Sequence, residues 1–488
     1  MSKRTRIGLI VALGALLALT VQASASAADL VLGSGAYTVD TTALKLTGPG
    51  PTEITGVDEG GIAVFRFDNV NIASGATITA TGLRPLKIVA AGDLTMAGTI
   101  NGSGQNSNDC CGDTVGAHPG GPGGGSGGSA DAGGSAWSSG SGPGGGGKAT
   151  ASNDGGGGGG FGGNGARGGV NGGGGVGGAA GLAYGNLNLA LQGGSGGSGS
   201  GFAQGGGGGG AIALFGHTVA ITGIVFADGG GGAVGLGASG GGSGGGIIVH
   251  GDAVEVTGFL VARGGDGGRG GCCGDGGGGG GGRIAYQYRT LVASGSALVN
   301  GGTSGARSTT GCCTGTIGQS LDPIGAPGVV TKAEAARATT GPATAVSSSG
   351  ATLNGTVNPS ANPTDYYFEY GTTGAYGSRI PAGPASVGTD SADHVVSQAL
   401  TGLSPNTTYH YRLVTVDGIG FTTFGSDIGF TTPAAPAAAA PAPPPAKPSP
   451  AKRKKCKKGK KLKHGKCVKK KKHHRHHKSR QAGSRPAS

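Results

Sequence analysis

Short hydrophobic islands recur inside a chain crowded with glycine, and their repetition constrains the fold more than any other feature of the sequence. Residues 101 to 290 hold 80 of the 118 glycines, a composition that on its own predicts a low-complexity segment. Each island has an apolar run, a polar turn, an alternating stretch, a small residue or glycine, and a second short alternating stretch. Four islands of nineteen residues align without gaps: LKIVAAGDLTMAGTINGSG from Leu86, IALFGHTVAITGIVFADGG from Ile212, IIVHGDAVEVTGFLVARGG from Ile247 and IAYQYRTLVASGSALVNGG from Ile284.

The islands predict short β-strands that stack on one another. Apolar and polar residues alternate with a period of two, and no island has helical periodicity. A single island cannot bury its apolar face, whereas stacked copies form a continuous core. We therefore expect an all-β fold with a parallel β-helix, or solenoid, over residues 28–325. The side chains expected to face its core or its stacked neighbours are Val219, Ile221, Ile224 and Phe226 in one island and Val254, Val256, Phe259 and Val261 in the next.

The glycine runs between the islands have two interpretations. As insertions that leave the solenoid at one corner, they would be flexible loops, and glycine accepts positive φ wherever a tight turn needs it. Alternatively, the longer runs form bundled polyproline II helices, which tolerate only glycine at their crowded contacts. Strict glycine at every third position is patchy here, so we expect the loops.

The N-terminus has the pattern of a secretory signal peptide over residues 1–27. Lys3, Arg4 and Arg6 precede the apolar run IGLIVALGALLALTV, and ASASAA follows with cleavage expected after Ala25 or Ala27. About fifteen apolar residues are few for a bilayer span, so a membrane anchor is the weaker alternative. We expect a secreted, envelope-associated protein without a transmembrane span after cleavage.

Eight cysteines in an exported chain favour disulfides. Neighbouring cysteines rarely bridge each other because their geometry is wrong for an unstrained bond, so the paired cysteines are expected to join separate loops. A thiolate metal cluster with Asp113 or Asp275 is the alternative, but zinc ligands are usually spaced by two or more residues. We expect no metal site and no cofactor. The disulfide candidates are Cys110, Cys111, Cys272, Cys273, Cys312, Cys313, Cys456 and Cys467.

Charge is divided between an acidic body and a basic tail. Residues 29 to 446 contain 15 Lys and Arg against 24 Asp and Glu, whereas residues 447 to 488 contain 19 Lys and Arg and no acid. A Pro/Ala-rich spacer over 434–451 precedes a disordered Lys/His-rich tail over 452–488. The lysines expected to bind polyanions are Lys454, Lys455, Lys457, Lys458, Lys460, Lys461, Lys463, Lys466, Lys469, Lys470, Lys471 and Lys472.

The expected partners of this tail are anionic cell-wall polymers, acidic polysaccharide or lipid head groups. Nucleic acid has the same electrostatic attraction, but for an exported chain it would be an incidental partner. A solvated tail that aids export or solubility is the alternative. The tail histidines offer a weaker alternative as ligands of a transition metal: His473, His474, His476 and His477.

Parallel β-helices often carry polysaccharide lyases and glycosidases, so we consider catalysis as well. Glycosidases need two carboxyl groups about 5 to 9.5 Å apart. The candidates fall at turns, strand ends or solvent-facing positions, no catalytic motif occurs, and aromatic residues make up only 5% of the chain. We therefore assign no catalytic residue and expect a structural or adhesive protein; a carbohydrate-active enzyme or carbohydrate-binding protein is the alternative. The residues considered are Asp93, His217, Asp228, His250, Asp252 and Glu255.

The glycine-rich part resembles a group of secreted bacterial proteins described as glycine-rich or PGRS-like. The residues that carry the resemblance are GATITATGLRPLKIVAAGDLTMAGTING, GGSGGSGSGFAQGGGGGGAIAL and GGGSGGGIIVHGDAVEVTGFLVARGG, within residues 30 to 320. The resemblance implies a surface or extracellular location and no established chemistry. The tail KRKKCKKGKKLKHGKCVKKKKHHRHHK likewise resembles lysine-rich tails of exported actinobacterial proteins.

Residues 341–433, after an expected linker at 326–340, have ordinary glycine content and short alternating segments that fit a β-sandwich. Leu403, Pro405, Thr407 and Tyr409 match the L-x-P-x-T-x-Y pattern of fibronectin type III domains, whose tyrosine forms a corner hydrogen bond. The tryptophan of that family is missing, and the resemblance implies Tyr366 or Phe368 in its place. Such domains serve as spacers or binding modules, and Leu403, Pro405 and Tyr409 would define the fold.

Overall fold

The computed structural model describes residues 28–107, 117–130, 136–170, 175–201, 203–235, 237–270, 274–305, 324–437 and 455–470. Regular structure in these residues consists of 29 strands and no helix, so the expected all-β class is confirmed. Among them no helical segment has the length and hydropathy that crossing a membrane requires. The chain divides into two compact units, Met1–Ala435 and Pro436–Ser488.

Nineteen strands form the first part of the larger unit, and most of them are short. They are β1 (Leu30–Leu32), β2 (Gly35–Asp40), β3 (Lys45–Thr47), β4 (Glu53–Thr55), β5 (Val57–Glu59), β6 (Ile62–Phe67), β7 (Val70–Ile72), β8 (Ala76–Thr81), β9 (Leu86–Ala90), β10 (Asp93–Met96), β11 (Thr99–Asn101), β12 (Ala211–Phe215), β13 (Thr218–Ile221), β14 (Ile224–Phe226), β15 (Gly246–Val256), β16 (Phe259–Val261), β17 (Arg283–Ala293), β18 (Ser296–Leu298) and β19 (Val329–Glu334).

The islands pair in parallel, and their first residues lie side by side. Leu86, Ile212, Ile247 and Ile284 occupy one register across β9, β12, β15 and β17, which form the first row of strands. A second row joins β1, β7, β10 and β13 to the later parts of β15 and β17, and a third joins β2, β8, β11, β14, β16 and β18. Antiparallel β3, β4 and β5 lie at the N-terminal end of the rows.

The gapless alignment of the islands fails in one place. Ile212 pairs with Leu86, whereas Thr218 pairs with Asp93, so the first island has one extra residue at its turn. In the last two islands the expected turn is absent, since β15 and β17 each continue for 11 residues. The islands therefore differ in how their first and second strand segments are connected: by a turn in the first two islands, and by a continuous strand in the last two.

One hydrophobic core is lined by all three rows. Val219, Ile221, Val254 and Val256 lie in it, as expected, and each is at most 2% exposed. The third row contributes Ile100, Val225, Leu260 and Ala297. Ile224, Phe226, Phe259 and Val261 do not line this core, and Phe259 is 46% exposed. The alternation of Val219 and Ile221 continues without a shift through the glycine turn to Val225, and that of Val254 and Val256 continues to Leu260.

The described glycine runs are buried and hydrogen-bonded to one another, so the expectation of flexible loops is wrong for them. The run around Gly240 has three neighbouring runs. Every third residue donates to the same neighbour: Ala238, Gly241 and Gly244 to Gly274, Gly277 and Gly280; Ser239, Gly242 and Gly245 to Ala233, Gly230 and Ala227; Gly240 and Ser243 to Ser198 and Ser195.

Three residues per turn without internal hydrogen bonds is the geometry of polyproline II, the alternative interpretation of these runs. Each buried backbone N–H needs a partner, and neighbouring runs supply it. Only glycine permits this spacing, since a Cβ added at Gly157, Gly240 or Gly242 would lie 2.0–2.1 Å from a carbonyl oxygen. The runs thus form a close-packed bundle.

A small apolar cluster joins this bundle to the first row of strands. Phe161 and Leu187 from the glycine-rich segments pack on the outer side chains of β12, β15 and β17, namely Ala213, Ile248 and Ala285. Phe161 is fully buried and lies 4.9 Å from the ring of Tyr184. The bundle therefore covers one outer face of the sheet.

Eight further strands form two antiparallel sheets around a second core. One sheet has the order β20–β21–β24; the other has β23–β22–β25, with β26 and β27 both paired to β25. Their bounds are β20 (Arg337–Ser347), β21 (Gly350–Asn358), β22 (Thr364–Gly371), β23 (Ser378–Gly388), β24 (His394–Thr401), β25 (Thr408–Asp417), β26 (Thr422–Phe424) and β27 (Ile428–Thr431).

The segment 326–340, expected as a linker, instead contributes strands to two sheets: the sheet that contains β17 and the sheet of β20, β21 and β24. Strand β19 pairs in parallel with β17 and extends the first sheet, and β20 already begins at Arg337. Only Ala335 and Ala336 lie between these strands, and both are buried. A strand pairing over six residues is a long-range interaction that local composition does not reveal.

The second unit contains one hairpin within its described residues. Strands β28 (Lys460–Lys463) and β29 (Lys466–Lys469) are antiparallel. A disulfide between Cys456 and Cys467 closes the segment. Cys110, Cys111, Cys272, Cys273, Cys312 and Cys313 lie outside the described residues.

Candidate functional site

The cationic hairpin, residues 455–470, is the candidate site with the highest density of one chemical type. Its two-residue turn at His464 and Gly465 has positive φ at both positions, 47° and 75°, as a type I′ turn requires. That turn matches the twist of the flanking strands, so the sequence K-H-G-K folds back on itself. The sequence predicted the lysines and a small loop closed by Cys456 and Cys467, which the disulfide confirms. The strand pairing within that loop was not predicted, although the glycine after a polar residue between short alternating segments was an available signal.

Lysines lie on both faces and at both ends of this hairpin. Side chains alternate along a strand, and the pairing places Lys460 opposite Lys469 and Lys463 opposite Lys466. All described lysines of the hairpin are exposed: Lys455, Lys457, Lys458, Lys460, Lys461, Lys463, Lys466, Lys469 and Lys470. Lys454, Lys471 and Lys472 lie outside the described residues.

The disulfide holds together strands that their charges would separate. Like charges directly opposite each other destabilise a strand pair, and a lone two-stranded hairpin is marginal in water. Leu462 and Val468 remain 50% and 43% exposed, so no buried core compensates. Cys456 and Cys467 close a loop of 11 residues in sequence separation, which stabilises the hairpin by about 3 kcal/mol in the chain-entropy account.

This arrangement presents charge without a cavity or a metal-binding set. Among the described residues no group of three His, Cys, Asp or Glu side chains converges in a geometry suited to a metal ion. Exposed ammonium groups attract phosphate, carboxylate and sulfate of any polymer through Coulomb forces. The chemistry available to the hairpin is therefore polyanion binding with little dependence on ligand shape.

A second cluster surrounds His250, one of the residues considered for catalysis. Its imidazole lies between the rings of Phe215 and Phe421, with centroids 4.3 and 4.2 Å away. Its Nδ1 is 3.1 Å from Oε1 of the buried Gln287. Burial lowers the pKa of His250 below its usual value, since the charged ring loses solvation. His250 therefore packs between the sheet that contains β12 and the segment that leads into β26.

Asp252 is held by Arg289 and His217 beside this stack. Its carboxylate lies 2.5 Å from Arg289 Nε and 2.8 Å from His217 Nδ1. Arg289 also donates to the carbonyl of Thr422 at 2.7 Å and to the hydroxyl of Thr423. These bonds connect β17 to β26, so the cluster joins two parts of the larger unit.

The other residues considered for catalysis lie apart from one another. Asp93 and Glu255 are exposed on strands of the second row. Asp228 pairs with Arg263 at 2.8 Å beyond the third row. The structure therefore brings only His217, His250 and Asp252 into one neighbourhood.

The residues that match the L-x-P-x-T-x-Y pattern lie at the edge of the second core. They are Leu403, Pro405, Thr407 and Tyr409. The Ser404 backbone N–H donates to the Tyr409 hydroxyl at 3.0 Å, and Leu403 is buried in the core. Pro405 precedes Thr407, whose hydroxyl donates to the Pro405 carbonyl at 3.0 Å.

Aromatic rings fill the centre of this core. Phe368 is fully buried, with the rings of Tyr366 and Tyr411 at 6.1 and 6.2 Å. Burial raises the pKa of Tyr411 to about 12, and its hydroxyl donates to the Gly341 carbonyl. Tyr366 and Phe368 therefore both lie in this core.

The molecule is thus an all-β protein with a cationic appendage. No protein-family profile matches its sequence, and no curated protein does. A sensor domain of the anti-sigma factor RsgI4 from Pseudobacteroides cellulosolvens is 22% identical, covering 21% of this chain and 98% of its own, with a TM-score of 0.18. Its solution structure is 21% identical, covering 29% and 98%, with a TM-score of 0.17. Chitinase ChiW from Paenibacillus sp. str. FPU-7 is 8% identical, covering 76% and 23%, with a TM-score of 0.13. Similarities this weak support no functional argument.

Proposed function

We propose that this protein is an exported, non-catalytic structural or adhesive component of a cell envelope or extracellular matrix, held to anionic polymers by its cationic tail. The observation that carries the proposal is the disulfide-closed hairpin with nine exposed lysines and no acid between residues 455 and 470. Its partners would be anionic cell-wall polymers, acidic polysaccharide or lipid head groups.

The larger unit would act as a rigid body that the tail holds in place. Three rows of in-register parallel strands around one core support the interpretation of residues 28–325 as a solenoid. The two-sheet arrangement with a Ser404–Tyr409 corner bond supports a fibronectin III-like sandwich at 341–433. The enclosure of His250 between two rings, which leaves its imidazole packed rather than open to a substrate, supports the non-catalytic proposal.

Electrostatics accounts for binding without a shaped pocket. Each lysine near an anionic surface contributes about 1 kcal/mol at low salt, and many lysines add their contributions. The bound polymer releases its counterions, so affinity falls steeply with salt concentration. The disulfide keeps the lysines of β28 and β29 close together, which raises local charge density.

The test measures binding of the chain from residue 28 to purified cell walls that contain teichoic acid. We expect affinity to fall at least about 100-fold between about 50 and 200 mM NaCl, and deletion of residues 447–488 to abolish binding. Replacing the nine hairpin lysines by glutamine should weaken binding, while replacing them by arginine, the matched control, should retain it. Salt-independent binding, or equal binding by the glutamine variant, would contradict the proposal.

A further inference from the structure

A polar cleft runs across the ends of the third-row strands. Two adjoining cavities of about 540 and 600 Å³ share Asn106, Asp228 and Gly229 in their walls. The walls consist of His118, from the glycine-rich segment after β11, and of residues at or just beyond the carboxyl ends of β8, β11, β14, β16 and β18. Because parallel strands end on the same side, one continuous cleft forms from the repetition.

The cleft has the length of an extended polymer segment. It crosses five adjacent strands, and neighbouring strands are about 4.8 Å apart, so it spans about 19 Å. It is open along this direction and does not close around a small molecule, since its walls are formed by exposed residues such as Thr79, Asn101 and Gln105.

The walls are polar, with backbone, amide, hydroxyl and carboxyl groups. Ala80 is the single apolar side chain of the lining among the described residues, and more than half of the wall around the second cavity is glycine. Polar atoms make up most of the wall surface, which favours a polar ligand over an apolar one. Asn101 and Asn106 each accept a backbone N–H at Oδ1, from Ser103 at 3.0 Å and Gly231 at 2.8 Å. Their amide nitrogens are left as donors for a ligand.

The charges of the cleft exclude a strongly anionic ligand. Asp228 accepts the Arg263 backbone N–H at 2.6 Å and pairs with its guanidinium at 2.8 Å. Asp266 accepts the backbone N–H and hydroxyl of Thr303 at 2.7 and 2.8 Å. Arg263 therefore neutralises one of the two carboxylates. Burial lowers the pKa of His118, the other titratable residue of the walls, which favours its neutral form. The remaining acid repels anions while still accepting hydrogen bonds from hydroxyl groups.

Ser107 gives an independent indication of a ligand. It lines the second cavity, is 9% exposed, and its Oγ has no hydrogen-bond partner within the part of the chain that the structure describes. A buried hydroxyl without a partner costs free energy, and a hydroxyl group of a ligand in the cleft would satisfy it.

We propose that this cleft binds a segment of an uncharged polysaccharide. Such a chain is extended and rich in vicinal hydroxyls, which match the alternating amide, hydroxyl and carboxyl groups of the walls. The site is separate from the cationic tail and differs from it in ligand class. It adds to the proposed structural or adhesive function a specific contact with glycan.

The experiment measures binding of the chain from residue 28 to immobilised hydroxyethyl cellulose, galactomannan and dextran in 0.5 M NaCl. At this salt the Debye length is about 4 Å, so tail electrostatics is screened. Thr79→Trp places a large side chain in the cleft, whereas Thr77→Trp, the matched control, substitutes an exposed threonine on the same face of β8 outside the lining. We expect at least one polysaccharide to bind, at least tenfold weaker binding by Thr79→Trp, and a change below twofold for Thr77→Trp.

A second variant tests the proposal in case Thr79→Trp does not fold. Asn101→Ala removes an exposed amide, and we expect about fivefold weaker binding from the loss of one hydrogen bond. Capture by none of the three polysaccharides, or capture that Thr79→Trp and Asn101→Ala both leave unchanged, would overturn the proposal. Immobilised polygalacturonate serves as an anionic control under the same conditions, and binding to it alone in 0.5 M NaCl would overturn the uncharged ligand class. Each result is independent of tail deletion, which tests the proposed function.

Discussion

The packing of the glycine bundle leaves no room for even a methyl side chain at Gly240. A Cβ there would lie 2.0 Å from the Gly157 carbonyl oxygen, and backbone cannot move aside as a flexible side chain can. We predict that Gly240→Ala destabilises the larger unit by at least about 2 kcal/mol, through overpacking. Gly33→Ala is the control, because nothing lies within 4 Å of a Cβ at that exposed position. Urea denaturation measures both; equal midpoints would show that the bundle is loosely packed.

His250 makes the stability of the larger unit depend on pH. Its folded-state pKa is lowered by burial between Phe215 and Phe421, and the charge of Lys87 adds to this shift, while Gln287, Asp252 and Asp417 oppose it. The unfolded chain therefore takes up the proton first as pH falls. The contribution of His250 is complete above about pH 6.5 and is lost progressively below it, toward the folded-state pKa.

We predict that the unfolding free energy falls between pH 7.5 and pH 5.5 and that His250→Gln reduces this pH dependence. The amide retains a polar group beside Gln287 and cannot take up a proton, although its absolute stability should be lower because the ring stacking is lost. Urea titrations at both pH values measure the difference. The same pH slope in the variant and the parent would rule out His250 as its source.

At the scale of elements, the cationic hairpin should depend on its disulfide. With Cys456→Ser and Cys467→Ser together, about 3 kcal/mol of loop restraint disappears, and the opposed lysines at 460/469 and 463/466 then separate the strands. We predict the loss of cross-strand nuclear Overhauser contacts between β28 and β29. Leu462→Ala with the disulfide intact should keep them, since Leu462 is half exposed. A hairpin that persists in the double variant would contradict this account.

The local sequence pattern predicted where the strands lie better than it predicted which side chains of each strand face the core. The starts of the islands at Leu86, Ile212, Ile247 and Ile284 pair as their alignment indicates. The prediction assumed that the glycine turn shifts the alternation by one residue, whereas the structure keeps it, with Leu260 in the core and Phe259 facing outward. A turn of one residue more or less reverses every side chain that follows it, and residue types alone do not give the length of a turn.

The glycine bundle and the polar cleft were harder to infer, because both are formed by residues distant in sequence. Gly159 donates to Gly241, and Gly280 donates to Gly159, yet nothing in a run of identical residues specifies which runs are neighbours. The cleft brings Asn106 beside Asp228, an approach that becomes visible once the strands are stacked. By contrast, the cationic site was predicted from composition, since exposed charge requires no partner.

At the scale of the whole molecule, the larger unit is joined across its two cores by a small contact. Arg289 bonds to Asp252 on one side and to Thr422 and Thr423 on the other. Phe421 stacks on His250 and packs with Ile419, Ala333 and Ala335 in a buried cluster. Interfaces of this kind between domains are modest in area, so a few residues decide whether the two cores unfold together.

We predict that Arg289→Ala combined with Phe421→Ala divides the thermal unfolding of this unit into two calorimetric transitions. Truncating a buried phenylalanine costs about 3 kcal/mol or more, and the loss of Arg289 removes its ion pair with Asp252 and its bonds to Thr422 and Thr423. Arg66→Ala is the matched control, because its ion pair with Glu59 is exposed and lies within the first sheet. A single transition in the double variant would show that the strand pairing of β17 with β19 couples the cores by itself, since that pairing is the continuous backbone connection between them.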